Sequence, residues 1–234
     1  MYKNINNIKA VIKTSFLDWP GNISTVLFLG GCNFRCPYCH NKELVLSSHK
    51  MKDISFDKVK KILTQHPGWI DGVVISGGEP TLYSRLIPLI KIIRNMGLKV
   101  KLDTNGSKPN ILRKLIKEKL IDYIAIDFKA PLQKDIYARC IGIDIPILSK
   151  IKRSIRLLLR EEVEYEFRTT VCPVLLEEKD IYKMAKDIRG AKRFILQNFK
   201  ANNTLNPRFE KIVPYSEKRI EEMKKIILFN INIK

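Results

Sequence analysis

An α/β fold with parallel strands, wound as a partial (β/α)6 barrel and followed by a C-terminal helix, is predicted by three observations. Apolar, β-branched runs recur six times, and amphipathic stretches of ten to sixteen residues stand between them. Strands alternating with helices call for a parallel sheet with right-handed crossovers. Six such units at about 30 residues each nearly exhaust the 234 residues, so the eight units of a complete barrel do not fit.

The first strand, STVLFLG (24–30), runs into a cysteine-rich loop. The helix SFDKVKKILTQH (55–66) leads to the strand DGVVISG (71–77), YSRLIPLIKIIRNMG (83–97) to LKVKLDT (98–104), and NILRKLIKEK (110–119) to IDYIAIDF (121–128). PILSKIKRSIRLLLRE (146–161) precedes VEYEFRTTV (163–171), and EEKDIYKMAKDIR (177–189) precedes KRFILQNF (192–199). A last helix is expected in PYSEKRIEEMKKIILF (214–229), beginning near Ser216, whose hydroxyl can cap it. Between residues 24 and 200 there is no Ser/Gly-rich tract or low-complexity run. The expectation is therefore one domain, 1–234: an N-terminal extension (1–23), a β/α core (about 24–200), and a C-terminal loop and helix (201–234).

Composition narrows the function classes. The leading residues MYKNINNIKAVIKTSF are polar and lysine-rich, and no window approaches 18 uninterrupted apolar residues, so a soluble cytoplasmic chain is expected, without membrane attachment. A formal charge of +19 suits acidic protein surfaces, nucleic acid or anionic membranes. The lysines and arginines are scattered along amphipathic segments, with no arginine-rich tail and no aromatic-interleaved basic run. Solvated helix faces explain them, and nucleic acid is not the expected partner.

In parallel β/α architectures, active sites form at the carboxyl ends of strands. Here the successive ends carry the cysteine loop; Gly77, Gly78, Glu79 and Pro80; Asp103, Thr104, Asn105 and Gly106; then Asp127 and Lys129. Arg168 lies in the fifth predicted strand, and Gln197 and Asn198 in the sixth.

Five cysteines are an odd number, and Cys32, Cys36 and Cys39 crowd one loop as C-x₃-C-x₂-C, so reduced metal ligands explain them better than disulfides. A zinc site completed by His40 is awkward, because His40 adjoins Cys39 and structural zinc takes ligand pairs from separated turns. Cys140, after an extended loop, and Cys172, at a strand end, are read as packed thiols. Three thiolates on a [4Fe–4S] cluster would leave one iron open, and reactive metal sites keep such a position.

With the aromatic Tyr38 before the last cysteine, and with SGGEPTL (76–82) after the second strand, the chain resembles the radical S-adenosylmethionine (SAM) superfamily over about residues 14–200. The resemblance implies a partial β/α barrel in which the open iron binds SAM and a reduced cluster cleaves it to a 5′-deoxyadenosyl radical. DWPGNISTVLFLGGCNFRCPYCHN (18–41), ISGGEPTL (75–82), LDTNG (102–106) and IDFKAP (126–131) are most similar to glycyl-radical enzyme activating enzymes, in particular those of anaerobic ribonucleoside-triphosphate reductase. The implied partners are a glycyl-radical enzyme and an electron donor such as flavodoxin or ferredoxin.

The resemblance assigns Gly77, Gly78 and Glu79 to the SAM ammonium, glycines allowing close backbone approach, against a plain Gly-Gly turn. Asp103 and Asn105 either reach the ribose or a cation, or form an Asx-turn. Asp127 and Lys129 share a strand face, Phe128 lies between them, and the family's Asp-x-Lys contacts SAM. Asp103, Thr104 and Asp127 match a monovalent-cation pattern. Arg168 would bind the SAM carboxylate or ribose, or else form a rim salt bridge. Gln197 stands where related enzymes have a histidine facing SAM; Tyr38, Cys39 and His40 flank the cofactor, with Tyr38 near the adenine or packed over the cluster. DWPG (18–21) is expected beside the partner's glycine loop.

Two alternatives stand beside this reading. One is a radical SAM enzyme acting on a small molecule, such as a carboxy-deazaguanine synthase, although His40 and Asn41 stand where a magnesium-binding Ser/Thr is wanted. The other is a non-catalytic iron–sulfur or zinc protein held to nucleic acid by its charge.

Overall fold

The structure, a computed structural model, describes residues 5–160 and 163–231. The outermost residues of the expected N-terminal extension and C-terminal segment, and the end of the helix expected at 146–161, lie outside the described residues. The chain forms two compact units: Met1–Asn33, Glu43–Thr104 and Asn110–Ile124 in the first, and Phe34–Lys42, Asn105–Pro109 and Ala125–Lys234 in the second. The strands are ordered β1 to β7 along the chain.

In the first unit, β1 (Ile8–Ser15) runs antiparallel to β2 (Ser24–Leu29). The short α1 (Lys42–Leu46) and α2 (Phe56–Thr64) follow. Ser55 caps α2 by accepting from the Lys58 amide, and Phe56, Val59 and Leu63 form its buried stripe. β3 (Gly72–Gly77) pairs parallel with β2, aligning Leu29 with Gly77, and α3 (Leu86–Arg94) leads to β4 (Lys99–Thr104), parallel to β3. α4 (Pro109–Lys117) leads to β5 (Tyr123–Asp127), which begins in the first unit and ends in the second.

The second unit continues with α5 (Lys134–Ile141), α6 (Leu148–Leu158), β6 (Glu164–Val171), α7 (Glu178–Asp187) and β7 (Phe194–Asn198), with β6 and β7 parallel. α8 (Glu217–Ile231) ends the described chain, and the Ser216 hydroxyl accepts from the Arg219 amide as expected.

Two features differ from the sequence expectation, and the DWPG turn can be placed in the fold. The extension contains β1, so not all strands are parallel: the lysine-bearing IKAVIKTS is an edge strand, where charge is tolerated. Cys140 lies in α5, not after an extended loop. DWPG forms the β1–β2 turn, and Trp19, 3% exposed, packs with Val26, Val74 and Tyr123 and against Gly72 at the amino end of β3. That turn precedes the amino end of β2, roughly 16 Å at strand rise from the strand's carboxyl end, which leads toward Cys32.

Candidate active site

Within the first unit the cysteine loop is rooted by backbone. The Gly78 amide donates to the Leu29 carbonyl (2.9 Å) and the Glu79 amide to that of Gly31 (2.8 Å). A Cβ on Gly77 (φ +117°) would lie 2.3 Å from the Leu29 oxygen, and one on Gly78 would lie 2.1 Å from that of Gly31. These glycines let the end of β3 lie flat on the backbone leading into Cys32. The closest approach they permit in this unit is thus to the loop that carries the first thiol.

Glu79 is 1% exposed. Its Oε1 accepts from the Thr81 amide (3.0 Å), the Thr81 hydroxyl and the Thr104 hydroxyl (2.8 Å). A buried carboxylate needs such donors, and these join the end of β3 to the end of β4. Thr104, expected beside a cation, spends its hydroxyl proton on Glu79. Lys101 Nζ lies 3.7 Å from Oδ1 of Asp103, the other residue expected beside a cation. Lys101 is 1% exposed, donates to the Asp18 carbonyl (2.5 Å) and sits 5.1 Å above the Tyr123 ring. Residues 101 and 103 share a strand face. That spacing was the available signal for a lysine the sequence reading passed over.

Within the second unit the rest of the loop is held on two sides. Cys36 and Cys39 are drawn together by a turn, with the Cys39 amide donating to the Cys36 carbonyl (3.0 Å). The Arg35 amide donates to Ile141 at the end of α5 (2.8 Å), and the Asn206 amide to Pro37 (2.9 Å). His40 Nε2 bonds the Lys200 carbonyl (2.9 Å), and Asn203 Nδ2 donates to the His40 carbonyl (3.3 Å). His40 therefore ties the loop to the segment after β7. Tyr38 is buried, which favours packing over a position open to adenine.

Asp127 and Lys129 form the ion pair their spacing predicts, Nζ to Oδ2 3.3 Å. Arg168 contacts Asp127 Oδ1 through Nε and Nη2, both at 3.1 Å, and lies 3.9 Å from the buried Glu166. The rim salt bridge is the arrangement found. Burial pushes the Asp127 carboxyl up, but Lys129 and then Arg168 outweigh it and hold it below its ordinary value. Burial likewise opposes the Lys129 ammonium, which Asp127, Cys36 and Cys39 keep charged. Cys39 is raised by burial and eased down by its bond to the Asn41 backbone and by Lys129. That lysine is therefore near the loop thiols and offsets thiolate charge.

Three expected contacts are accounted for differently, whereas the two remaining cysteines are packed as expected. Phe128 is fully buried, edge-on to Phe167 at 6.4 Å, and belongs to the core. Asn105 Oδ1 accepts from the Ser107 amide (3.0 Å), the Asx-turn reading. Gln197 is exposed on β7 opposite Thr170. Cys140 and Cys172 are packed thiols, pushed up to about 12 and about 11, burial being the main cause in each. Neither is a reactive thiolate at neutral pH.

Three thiols within eight residues, two set by one turn near a lysine ammonium, are a soft donor set that fits iron–sulfur chemistry. Residues 26–197 match the radical SAM superfamily. A Methanocaldococcus jannaschii protein that carries the name of a glycyl-radical enzyme activating enzyme is 34% identical over 94% of this chain and 90% of its own. The pyruvate formate-lyase-activating enzyme of Clostridium pasteurianum is 28% identical over 94% of this chain and 93% of its own. In fold, the chain is similar to a radical SAM methyltransferase from Sphaerobacter thermophilus, with a TM-score of 0.69 at 13% identity, over 92% of this chain and 65% of that one.

Proposed function

The chain belongs to the radical SAM superfamily, whose members use a [4Fe–4S] cluster and SAM, and on that premise we propose that it is a glycyl-radical enzyme activase. Its proposed partner is anaerobic ribonucleoside-triphosphate reductase, with flavodoxin or ferredoxin as electron donor and the cytoplasm as its place of work. The observation that carries the activase reading is similarity along nearly the whole chain to proteins named for that activity. No helix among the described residues is long and apolar enough to cross a membrane.

In this reading residues 1–234 act as one radical SAM domain, and Cys32, Cys36 and Cys39 hold the cluster, leaving one iron for SAM. When bound, the reduced cluster supplies the electron that cleaves the SAM sulfonium and frees the radical for the partner's glycine. The protein's own groups position and balance charge. Gly77 and Gly78 seat the root of the cysteine loop, Glu79 holds the ends of β3 and β4 together, and Lys129 offsets thiolate charge near Cys36 and Cys39. Asp127 and Lys129 remain the proposed SAM contacts on β5 and beyond; Arg168 serves them by fixing Asp127. The test is anaerobic reconstitution, followed by SAM and a reductant. Stoichiometric 5′-deoxyadenosine, and a glycyl radical on an added reductase, are the expected products; absence of 5′-deoxyadenosine from cluster-loaded protein refutes the reading.

A further inference from the structure

We propose that Tyr137 donates a hydrogen bond to the cluster's sulfur on the Cys36 side and thereby raises the cluster's reduction potential. The proposal rests on the functional reading above. α5 is locked onto the cysteine loop: the Arg35 amide donates to Ile141, and a Cβ on Gly142 would lie 2.0 Å from the Arg35 carbonyl oxygen. Tyr137 lies one turn back, on the buried face it shares with Cys140 and Ile141. Its side chain is 1% exposed, and its hydroxyl proton has no acceptor among the described residues. The Tyr38 hydroxyl, also buried, is in the same condition.

The surroundings of these two phenols single out one acceptor. Cys36 adjoins Arg35, the residue to which α5 is fastened, and after burial it is the next group that pushes both phenols up, so both lie near that sulfur. Cys140 and Asp127 are the other groups near both. Cys140 stays a neutral thiol, a weak acceptor, and both Asp127 oxygens are occupied by Lys129 and Arg168. For Tyr137 the Lys129 amide lies on the phenol oxygen's side, which leaves the hydroxyl proton as the unserved group. A buried hydroxyl proton left unpaired is destabilising. Such a group calls for something that completes it, and sulfur of a bound cluster is an acceptor at that place. Because the reduced cluster is the more negative, a donor to its sulfur favours reduction.

Tyr137→Phe removes the proton and keeps the ring. In reconstituted protein of equal iron and sulfide content, a redox titration followed by electron paramagnetic resonance should show a tenfold shift against the reduced cluster, about 59 mV to the negative side for one electron. The cluster-free variant should melt no lower than the parent, since an unpaired polar group has been removed. An unmoved or raised potential overturns the proposal, as does a shift produced by Tyr38→Phe and not by Tyr137→Phe. Should Tyr137→Phe take up no iron, parent protein labelled with 3-fluorotyrosine, a stronger donor, is expected to show a more positive potential; no change there overturns it too. Failure of the parent protein to take up a cluster refutes the functional reading instead.

Discussion

Gly78 shows how a single missing carbon positions chemistry. Its hydrogen sits where any Cβ would meet the Gly31 carbonyl oxygen at 2.1 Å, and both atoms are backbone, so neither can swing away. Gly78→Ala is expected to cost on the order of 1–3 kcal/mol, as overpacking does, and to lower iron uptake, both readable by urea unfolding and metal analysis. Lys101 makes the second residue-level prediction. It supplies a buried positive charge beside Asp103, and removing one member of such a pair strands the other: Lys101→Met should cost about 3–5 kcal/mol, and Asp103→Asn added to it should recover part of that loss. Asp127 gives the pH dependence. Its folded value is depressed, so its contribution is present above the ordinary carboxylate range near 4 and is lost as pH falls through the lower folded value. Asp127→Asn should remove that part of the acid transition, measured by acid unfolding.

At the scale of elements, legibility followed physical redundancy. The six core strands and their helices were readable because β-branched runs and 3.6-residue periodicity repeat over ten residues or more, and Ser55 and Ser216 mark helix starts that the structure uses. β1 was missed because an edge strand keeps lysines that a buried strand excludes, so IKAVIKTS carries no alternation to detect. α5 was missed because a helix of eight residues is too short to establish a period. The cysteine loop stands out in the sequence because its three thiols fall within eight positions. The partners of Glu79, Lys101 and Arg168 were not legible, since each depends on which side chains the strands bring side by side. α5 carries its own prediction. Gly142 is both its left-handed cap (φ +71°) and the contact with Arg35, so Gly142→Ala should destabilise the protein and loosen cluster binding together. Cys140→Ala, on the same helix, should leave iron content unchanged, in contrast to loss on Cys36→Ala.

For the molecule as a whole, the charge of +19 is spread along the chain, and the proposed chemistry is concentrated in one loop of eight residues and the groups that fasten it. In the proposed function the polypeptide is a holder that supplies three thiolates, keeps the surrounding charges balanced and leaves one iron to the nucleotide. The most direct measurement is the electron paramagnetic resonance spectrum of the reduced, reconstituted protein before and after SAM is added. One cluster per chain whose signal changes with SAM is the predicted result. A spectrum indifferent to SAM, or a chain that takes zinc in place of the cluster, contradicts it.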